Sequence, residues 1–543
     1  MLISFLRKHP YLVLGTLLVA LANNIVTITI PVAISKFYQV VLHTEGQRGK
    51  LLSFLPFNLD EISHFFYFFA ALILLKMLFT FAEKYGIGIA GERFTKEIRE
   101  QLFHHHLLYS VEKHEQKAVG NYLLRYSGDL TSLQNYLTKG IIVFTKDVLF
   151  IVLALIVLCF FSWQLVSLML LLLPFFVLMM WGLNKILKPI SKQRRGAKSN
   201  NLSFVSERLG QLMTIKVFNR EAIEEKSFVK RSDKLYRLGQ QYQLWYSIIQ
   251  ALLPAFSYLL LLAIMGYIYY ASNTQNNGST LLVFVMLIIS LMSIIKRLLN
   301  VNTVWQSGHI SMEKVSEMLQ PPNINKESLT ELNELIITNG QVVFDKVSFA
   351  YNPNKPLLQY LSFEAQANTL VWIKGKQGAG KSTLFELLLH LYTPNSGSIL
   401  IDGQDIGSLT GKSIRREVTL VSNDVPLLGN TVFEAISYSR ADDKREKAQA
   451  ILQKIGFVDL GLDDKIGESG KQLSAGQRKL LIIARALLTN KKIILLDEPF
   501  VDLDNKAQAL LVKQLNKLKQ KRTIFLIDKN PPQNLLIDQI IEL

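Results

Sequence analysis

The sequence predicts two parts of different character: an all-α bundle of six membrane spans, then an α/β domain organised around a phosphate-binding loop. Three observations carry this. Up to about residue 305, long apolar runs alternate with basic stretches; beyond it, short β-branched runs alternate with helical patterns; and a glycine-rich stretch, Gly375–Thr383, separates a strand from a helix. Of 543 residues, 49% are apolar and only 19% charged, and the mean hydropathy is +0.23. Disordered chains are apolar-poor and are excluded. A disulfide scaffold is excluded because Cys159 is the only cysteine. It lies in an apolar run and reads as a buried small hydrophobe. The net charge of +17 fits nucleic acid, anionic lipid or a positive-inside membrane protein. The distribution of charge selects the last, with no nucleic-acid partner.

A bilayer-spanning helix needs about 20 mostly apolar residues. Six runs qualify: Tyr11–Ala33, His64–Phe81, Ile142–Phe161, Leu165–Leu187, Ile249–Tyr270 and Thr280–Leu299. Arg7, Lys8 and His9 precede the first run as in a signal peptide, but its apolar character continues past Ala22 to Pro31, so it reads as an uncleaved span. Lys and Arg crowd the stretches between spans two and three (Lys84 to Lys139) and between spans four and five (Lys192 to Arg237). The opposite loops are nearly bare: Ser162–Gln164 and Ser272–Ser279 carry neither, and Tyr38–Ser63 carries only Arg48 and Lys50. Both termini and both long loops are therefore expected in the cytoplasm, in a multi-pass protein of the cytoplasmic (inner) membrane.

The long loops, Ala82–Thr145 and Ser191–Tyr246, have helical patterns and few breakers. Each reads as two helices prolonging the flanking spans, with a crossing segment at its tip near Glu112–Gly120 and Leu212–Glu221. Lys76 sits within span two, where an ionisable group turns toward the bundle interior; it either lines a substrate path or pairs with a neighbouring helix. Asn23 and Asn24 in span one raise the same question. Lys296 and Arg297, near the cytosolic end of span six, are expected to reach the headgroups.

The membrane part is assigned to residues 1–320, a polar linker beginning at Pro321–Pro322 to 321–336, and the second part to 337–543. Strands are expected at Gln341–Phe344, Val347–Tyr351 and Leu370–Ile373. The last feeds into Gly375-Lys-Gln-Gly-Ala-Gly-Lys-Ser-Thr383, a full GxxxxGK[ST] followed by the helical run Leu384–Leu391. Gly375, Gly378 and Gly380 let the backbone curl its N–H groups toward phosphate, and the helix start adds partial positive charge. Lys381 is placed to reach the β and γ phosphates of ATP, and Ser382, beside Thr383, to offer a hydroxyl to Mg²⁺. The apolar strand Ile493–Leu496 ends in Asp497 and Glu498. Asp497 is a candidate magnesium ligand and Glu498 the candidate base for the attacking water. A third signal, Leu473-Ser-Ala-Gly-Gln477, precedes the helical run Leu480–Leu488.

Together these motifs resemble the ATP-binding cassette family. With six preceding spans, the whole chain resembles a half-size ABC exporter: a six-helix membrane domain followed by an α/β P-loop ATPase domain of the ABC type. Leu473–Gln477 is similar to the family signature, with Ala475 where glycine is usual. Tyr351 stands where the family places an aromatic on adenine. Ile401–Gly403, Gly467–Gly470 and Leu503–Asp504 match lesser landmarks, and Gly120–Asp129 and Gly210–Glu221 resemble the two coupling regions. The resemblance implies an obligate dimer in which each ATP lies between one P-loop and the partner's signature, so that Ser474, Gly476 and Gln477 serve the ATP of the other copy. It also implies ATP-driven alternating access.

Two departures stand out. Asn423 occupies the position of the family's glutamine, which reaches Mg²⁺ and the water. Lys529, after the strand Thr523–Ile527, replaces a switch histidine; it offers a point charge but not an imidazole that both donates and accepts. Thr523–Ile527 reads as the last core strand, and the chain ends soon after, at Leu543. These features leave a homodimer, a heterodimer with a second half-transporter, and a hydrolysis-impaired regulatory subunit all open. The cargo, whether lipid, hydrophobic drug, small molecule or peptide, is not specified by the sequence.

Overall fold

The computed structural model describes residues 1–41, 61–115, 119–270, 277–319, 333–438 and 444–543. Most of the linker, the outer loop bearing Arg48 and Lys50, and part of the loop at Ser272–Ser279 lie outside these residues. The chain forms two compact units. One comprises Met1–His105 and Val119–Leu319; the other comprises His106–Ala118 and Gln320–Leu543.

In the first unit, the short α1 (Leu2–Lys8) precedes α2 (Pro10–Val41) and α3 (Ile62–Leu107). After α4 (Val111–Glu115), which belongs to the second unit, a composite helix combines α5 (Val119–Leu124), α6 (Leu130–Asn135) and α7 (Phe144–Phe161) with π-helical stretches at Arg125–Asp129 and Tyr136–Val143. Then follow α8 (Trp163–Gly210), α9 (Leu212–Val217), α10 (Glu221–Tyr270) and α11 (Asn277–Leu319). Among the described residues, six helices are long and apolar enough to cross a membrane. They run well past the apolar stretches, as the loop patterns predict, and α4 and α9 fall at the expected tips. Of the interior prolines at 31, 174, 189 and 254, Pro31 is buried and the other three are exposed. The inner faces of α2, α7, α8, α10 and α11 form one apolar core that includes Phe176, Phe256 and Phe284, with the Phe176 and Phe256 rings stacked at 4.0 Å.

One expectation is corrected here and two are sharpened. Cys159 is exposed on this unit, on an outward face of α7 rather than in the core. Arg297 has a half-exposed side chain, and its guanidinium makes a two-pronged pair with Asp147 on α7 at 2.7 and 2.8 Å. Asp147 is 1% exposed, and burying its carboxylate requires such a partner. Lys76 turns to α2, donating to Asn23 Oδ1 at 2.8 Å and to the Thr27 hydroxyl.

The second unit has two sheets. An antiparallel sheet takes the order β2-β1-β4-β5, from β1 (Val342–Phe349), β2 (Leu358–Ala365), β4 (Ser396–Ile401) and β5 (Gln404–Asp405). The two strands expected over 341–351 are thus one bulged strand. A parallel sheet takes the order β6-β7-β8-β3-β9, from β3 (Leu370–Lys374), β6 (Val418–Val421), β7 (Ile493–Asp497), β8 (Thr523–Ile527) and β9 (Gln539–Glu542). β8 is not the last strand: β9 pairs with the edge of β3, and its four residues are too few for a clear alternation signal. Beside α4, the described residues of this unit form α12 (Lys381–Leu388), α13 (Gly411–Glu417), α14 (Val432–Ser437), α15 (Arg445–Lys454), α16 (Ala475–Leu488) and α17 (Asn505–Leu518). Successive residues of the central strands enter opposite cores. Ile494, Leu496, Ile524 and Leu526 join the helical side, while Ile493, Leu495, Phe525 and Ile527 join the other. This two-sided burial is why the strands read as unbroken apolar runs.

Asp402 caps the entry to β1. Its carboxylate accepts from the backbone N–H groups of Thr338, Asn339, Gly340 and Gln341 at 2.7–3.0 Å. Burial pushes the carboxyl up, but the amides of Gly340, Thr338, Gln341 and Asn339 outweigh it and hold the group below the ordinary aspartate range. A depressed folded-state pKa adds stability above the unfolded value of about 4, and that stability is lost as pH falls through the folded value. Asp402→Ala is therefore expected to cost about 2 kcal/mol at neutral pH, lowering the melting temperature of this unit by roughly 4–8 °C. The gap between variant and parent should close below about pH 4. Thermal scans across pH check this, and a pH-independent gap would refute the charged cap.

Candidate active site

The glycine-rich loop links β3 to α12 at the carboxyl edge of the parallel sheet, where ligands of such sheets sit. Gly378 and Gly380 have φ of +82° and +90°, a region that a side chain disfavours. Gly375 differs: a Cβ there would lie 2.9 Å from the carbonyl oxygen of Leu543, so its glycine serves close approach rather than a left-handed turn. Lys381 starts α12, and its ammonium donates to the loop carbonyls of Gly375 and Lys376 at 2.9 and 2.7 Å. The Ser382 hydroxyl donates to Asp497 Oδ2 at 2.8 Å. P-loop and β7 thus bring two hard oxygen ligands together, a donor set that fits a magnesium ion.

A cleft of about 1170 Å³ is lined by Tyr351, Gly375, Gly378, Gly380, Lys381, Ser382, Thr383, Asn423, Asp424, Asp497, Glu498, Asp528 and Lys529, among others. Burial pushes the Asp497 carboxyl up, the bond from Ser382 pulls it down, and Glu498 and Asp424 raise it again. Asp528 is also raised, first by burial. Asp528 belongs to none of the sequence motifs; its signal is an acid directly after an apolar strand of this sheet.

Tyr351 is 53% exposed at the cleft mouth. Its hydroxyl bonds Glu386 and lies 3.0 Å from Thr383 Oγ1. Burial, then the neighbouring Glu386, push this phenol up to about 12. Behind it, Tyr392 packs edge-on at 5.2 Å and donates to Glu115 of α4 at 2.6 Å. The tip of the first long loop thereby reaches the aromatic group beside the P-loop within this unit. Tyr392→Phe should leave basal ATP turnover intact yet reduce its stimulation by transported substrate about tenfold or more, the worth of one charge-assisted hydrogen bond. Unchanged stimulation in that variant would sever the link.

Ser474, Gly476 and Gln477 do not line this cleft. Ser474 and Gln477 form a capping box at the start of α16, with Ser474 N–H donating to Gln477 Oε1 at 3.0 Å and Gln477 N–H to the serine hydroxyl at 3.2 Å. The Gln477 amide also donates to Asp459.

A helical membrane unit joined to a P-loop domain with a strand-end Asp-Glu pair is the build of an ATP-driven membrane transporter. Residues 13–295 match the family model described as ABC transporter transmembrane region, and residues 358–501 the model described as ABC transporter. The chain belongs to the ABC transporter family: it is a multi-pass membrane protein with a nucleotide-binding domain that hydrolyses ATP to drive transport, in the half-size exporter arrangement. It is 28% identical to an ATP-dependent lipid A-core flippase of Photorhabdus laumondii over 84% of this chain and 80% of that one. It is 26% identical to a multidrug resistance ABC transporter ATP-binding and permease protein of Lactococcus lactis over 81% and 76%. Its fold matches the structure of a bacterial Atm1-family ABC exporter with ATP bound, with a TM-score of 0.81 over 99% of this chain and 93% of that one, at 23% identity.

Proposed function

We propose that the chain works as one half of a dimeric exporter in the cytoplasmic membrane, termini inside, moving an anionic amphiphile by alternating access. The location and orientation rest on the Lys/Arg asymmetry of the loops. The cargo class rests on one observation, the charge inside the membrane unit. Lys146 pairs with Glu83, and Arg297 with Asp147. Lys76 is held instead by the neutral oxygens of Asn23 and Thr27. Among these five described groups three cations face two carboxylates, a surplus that is costly in lipid and that an anionic headgroup offsets. The lipid A-core flippases among the relatives are in keeping with such a cargo.

In this reading ATP lies on Gly378, Gly380 and Lys381, with Tyr351 on the adenine and Ser474, Gly476 and Gln477 contributed to the ATP of the other copy. Ser382 and Asp497 hold Mg²⁺, which supplies charge neutralisation at the phosphates. Glu498 takes the proton of the attacking water, Asn423 orients that water, and Lys529 faces the γ-phosphate as a fixed charge. ATP binding favours the closed state, and hydrolysis resets it.

The test is reconstitution in phosphatidylcholine vesicles doped with fluorescent phosphatidylglycerol or fluorescent phosphatidylcholine. ATP-dependent translocation that favours the anionic probe supports the proposal; equal movement of both, or movement without ATP, overturns it. Asn423 and Lys529 favour a second reading, a hydrolysis-impaired partner of a heterodimer. Turnover by the purified chain alone in nanodiscs would exclude it.

A further inference from the structure

Lys479 is 1% exposed, among the largest fully buried side chains of the protein. An ammonium at such a position costs several kcal/mol unless its donors are met. Its Nζ donates to the backbone carbonyl of Glu498 at 2.9 Å, and the carboxylates of Asp502, Asp497, Glu498 and Asp528 act on it electrostatically. The backbone it grips is unusual. Glu498 has φ of +47°, a left-handed conformation that a non-glycine residue keeps only when its surroundings impose it. Two bonds do so here: Glu498 N–H donates to Ile527 O at 2.8 Å, and Glu498 C=O accepts from Lys479.

Lys479 sits in the second turn of α16, the helix whose start carries Ser474–Gln477. That start also rests on the loop after Glu498: a Cβ on Gly476 would lie 2.7 Å from Asp502 O. Any displacement of α16 therefore pulls on the backbone of Glu498 through one buried side chain.

We propose that Lys479 is a positioning residue for Glu498, holding the glutamate in its left-handed turn and tying it to the helix that begins with Ser474. This rests on the catalytic reading of Glu498 and deepens it. In the dimer, seating of α16 against the ATP of the other copy sets the glutamate at its own copy's site. The two hydrolytic events are thereby linked through the interior of one chain.

The test compares steady-state ATP hydrolysis by the full chain in nanodiscs for wild type, Lys479→Met, Lys479→Gln and Glu498→Gln. Met fills the volume but donates nothing. Its kcat is expected to fall about 10- to 100-fold, the usual consequence of a displaced catalytic group, with KM for ATP within about twofold. Gln ends one bond short of the ammonium and is expected to fall in between, again at unchanged KM. A Met variant with wild-type kcat, or one whose KM rises in step with its loss, overturns the proposal. Should the Met variant not fold, a Gln variant with wild-type kcat overturns it equally. Turnover surviving in Glu498→Gln would strike the catalytic reading itself, whereas a dead Glu498→Gln beside a fully active Lys479→Met strikes only the role of Lys479.

Discussion

Glu498→Gln should lower ATP turnover by about 10²- to 10⁴-fold, the range contributed by a positioned general base, while ATP binding changes by less than about threefold. Glutamine keeps the shape of the side chain but cannot take a proton from water at neutral pH. Glu498 lies at the end of β7 beside Asp497 and lines the same cleft as Lys381 and Ser382. Binding of a fluorescent ATP analogue to the variant in nanodiscs, read alongside phosphate release, separates the two quantities. Turnover above a tenth of wild type would mean that Glu498 is not the base. Weakened binding in proportion to lost turnover would mean that it is a binding group or a structural one.

The second large effect is expected at Lys76. Met in its place keeps the length and removes the charge, so the bundle loses the cation that rests on Asn23 and Thr27. A charge-assisted hydrogen bond is worth about 1.5–3 kcal/mol, or roughly 10- to 150-fold in affinity. The concentration of phosphatidylglycerol needed for half-maximal ATPase stimulation should rise by that factor, with basal turnover unchanged. Stimulation by a neutral amphiphile should not move. A parallel loss with both lipids would assign Lys76 a packing role, and no change with either would place the cargo elsewhere.

Six spans, a phosphate loop and a strand-end acid pair were legible because each is written locally. A span is a length of apolar residues. The loop is a spacing of glycines before a lysine, and the turns at Gly378 and Gly380 demand those glycines whatever surrounds them. β7 reads as a buried strand because both its faces are covered. Placing Tyr351, Asn423 and Lys529 required the resemblance as well, since an aromatic, an amide or a lysine after a strand has no local signature.

The remainder required the folded chain, because it depends on residues far apart in sequence. Asp402 looks like a turn residue until the amides of residues 338–341 converge on it. β9 is four residues that become a strand only beside β3. Arg297 resembles a headgroup anchor until Asp147, 150 residues earlier, offers a buried carboxylate. Cys159 shares its apolar run with core residues, and only the rotation of α7 turns it outward. Lys479 reads as one more basic residue after a motif. Its position under Glu498, 19 residues on, follows from how α16 packs against the end of β7. The sequence by itself determined which segments are apolar, which backbone turns are possible and which side chains carry charge. Tertiary structure alone decided which charges are buried and what they hold, because burial and partnering are set where distant segments meet.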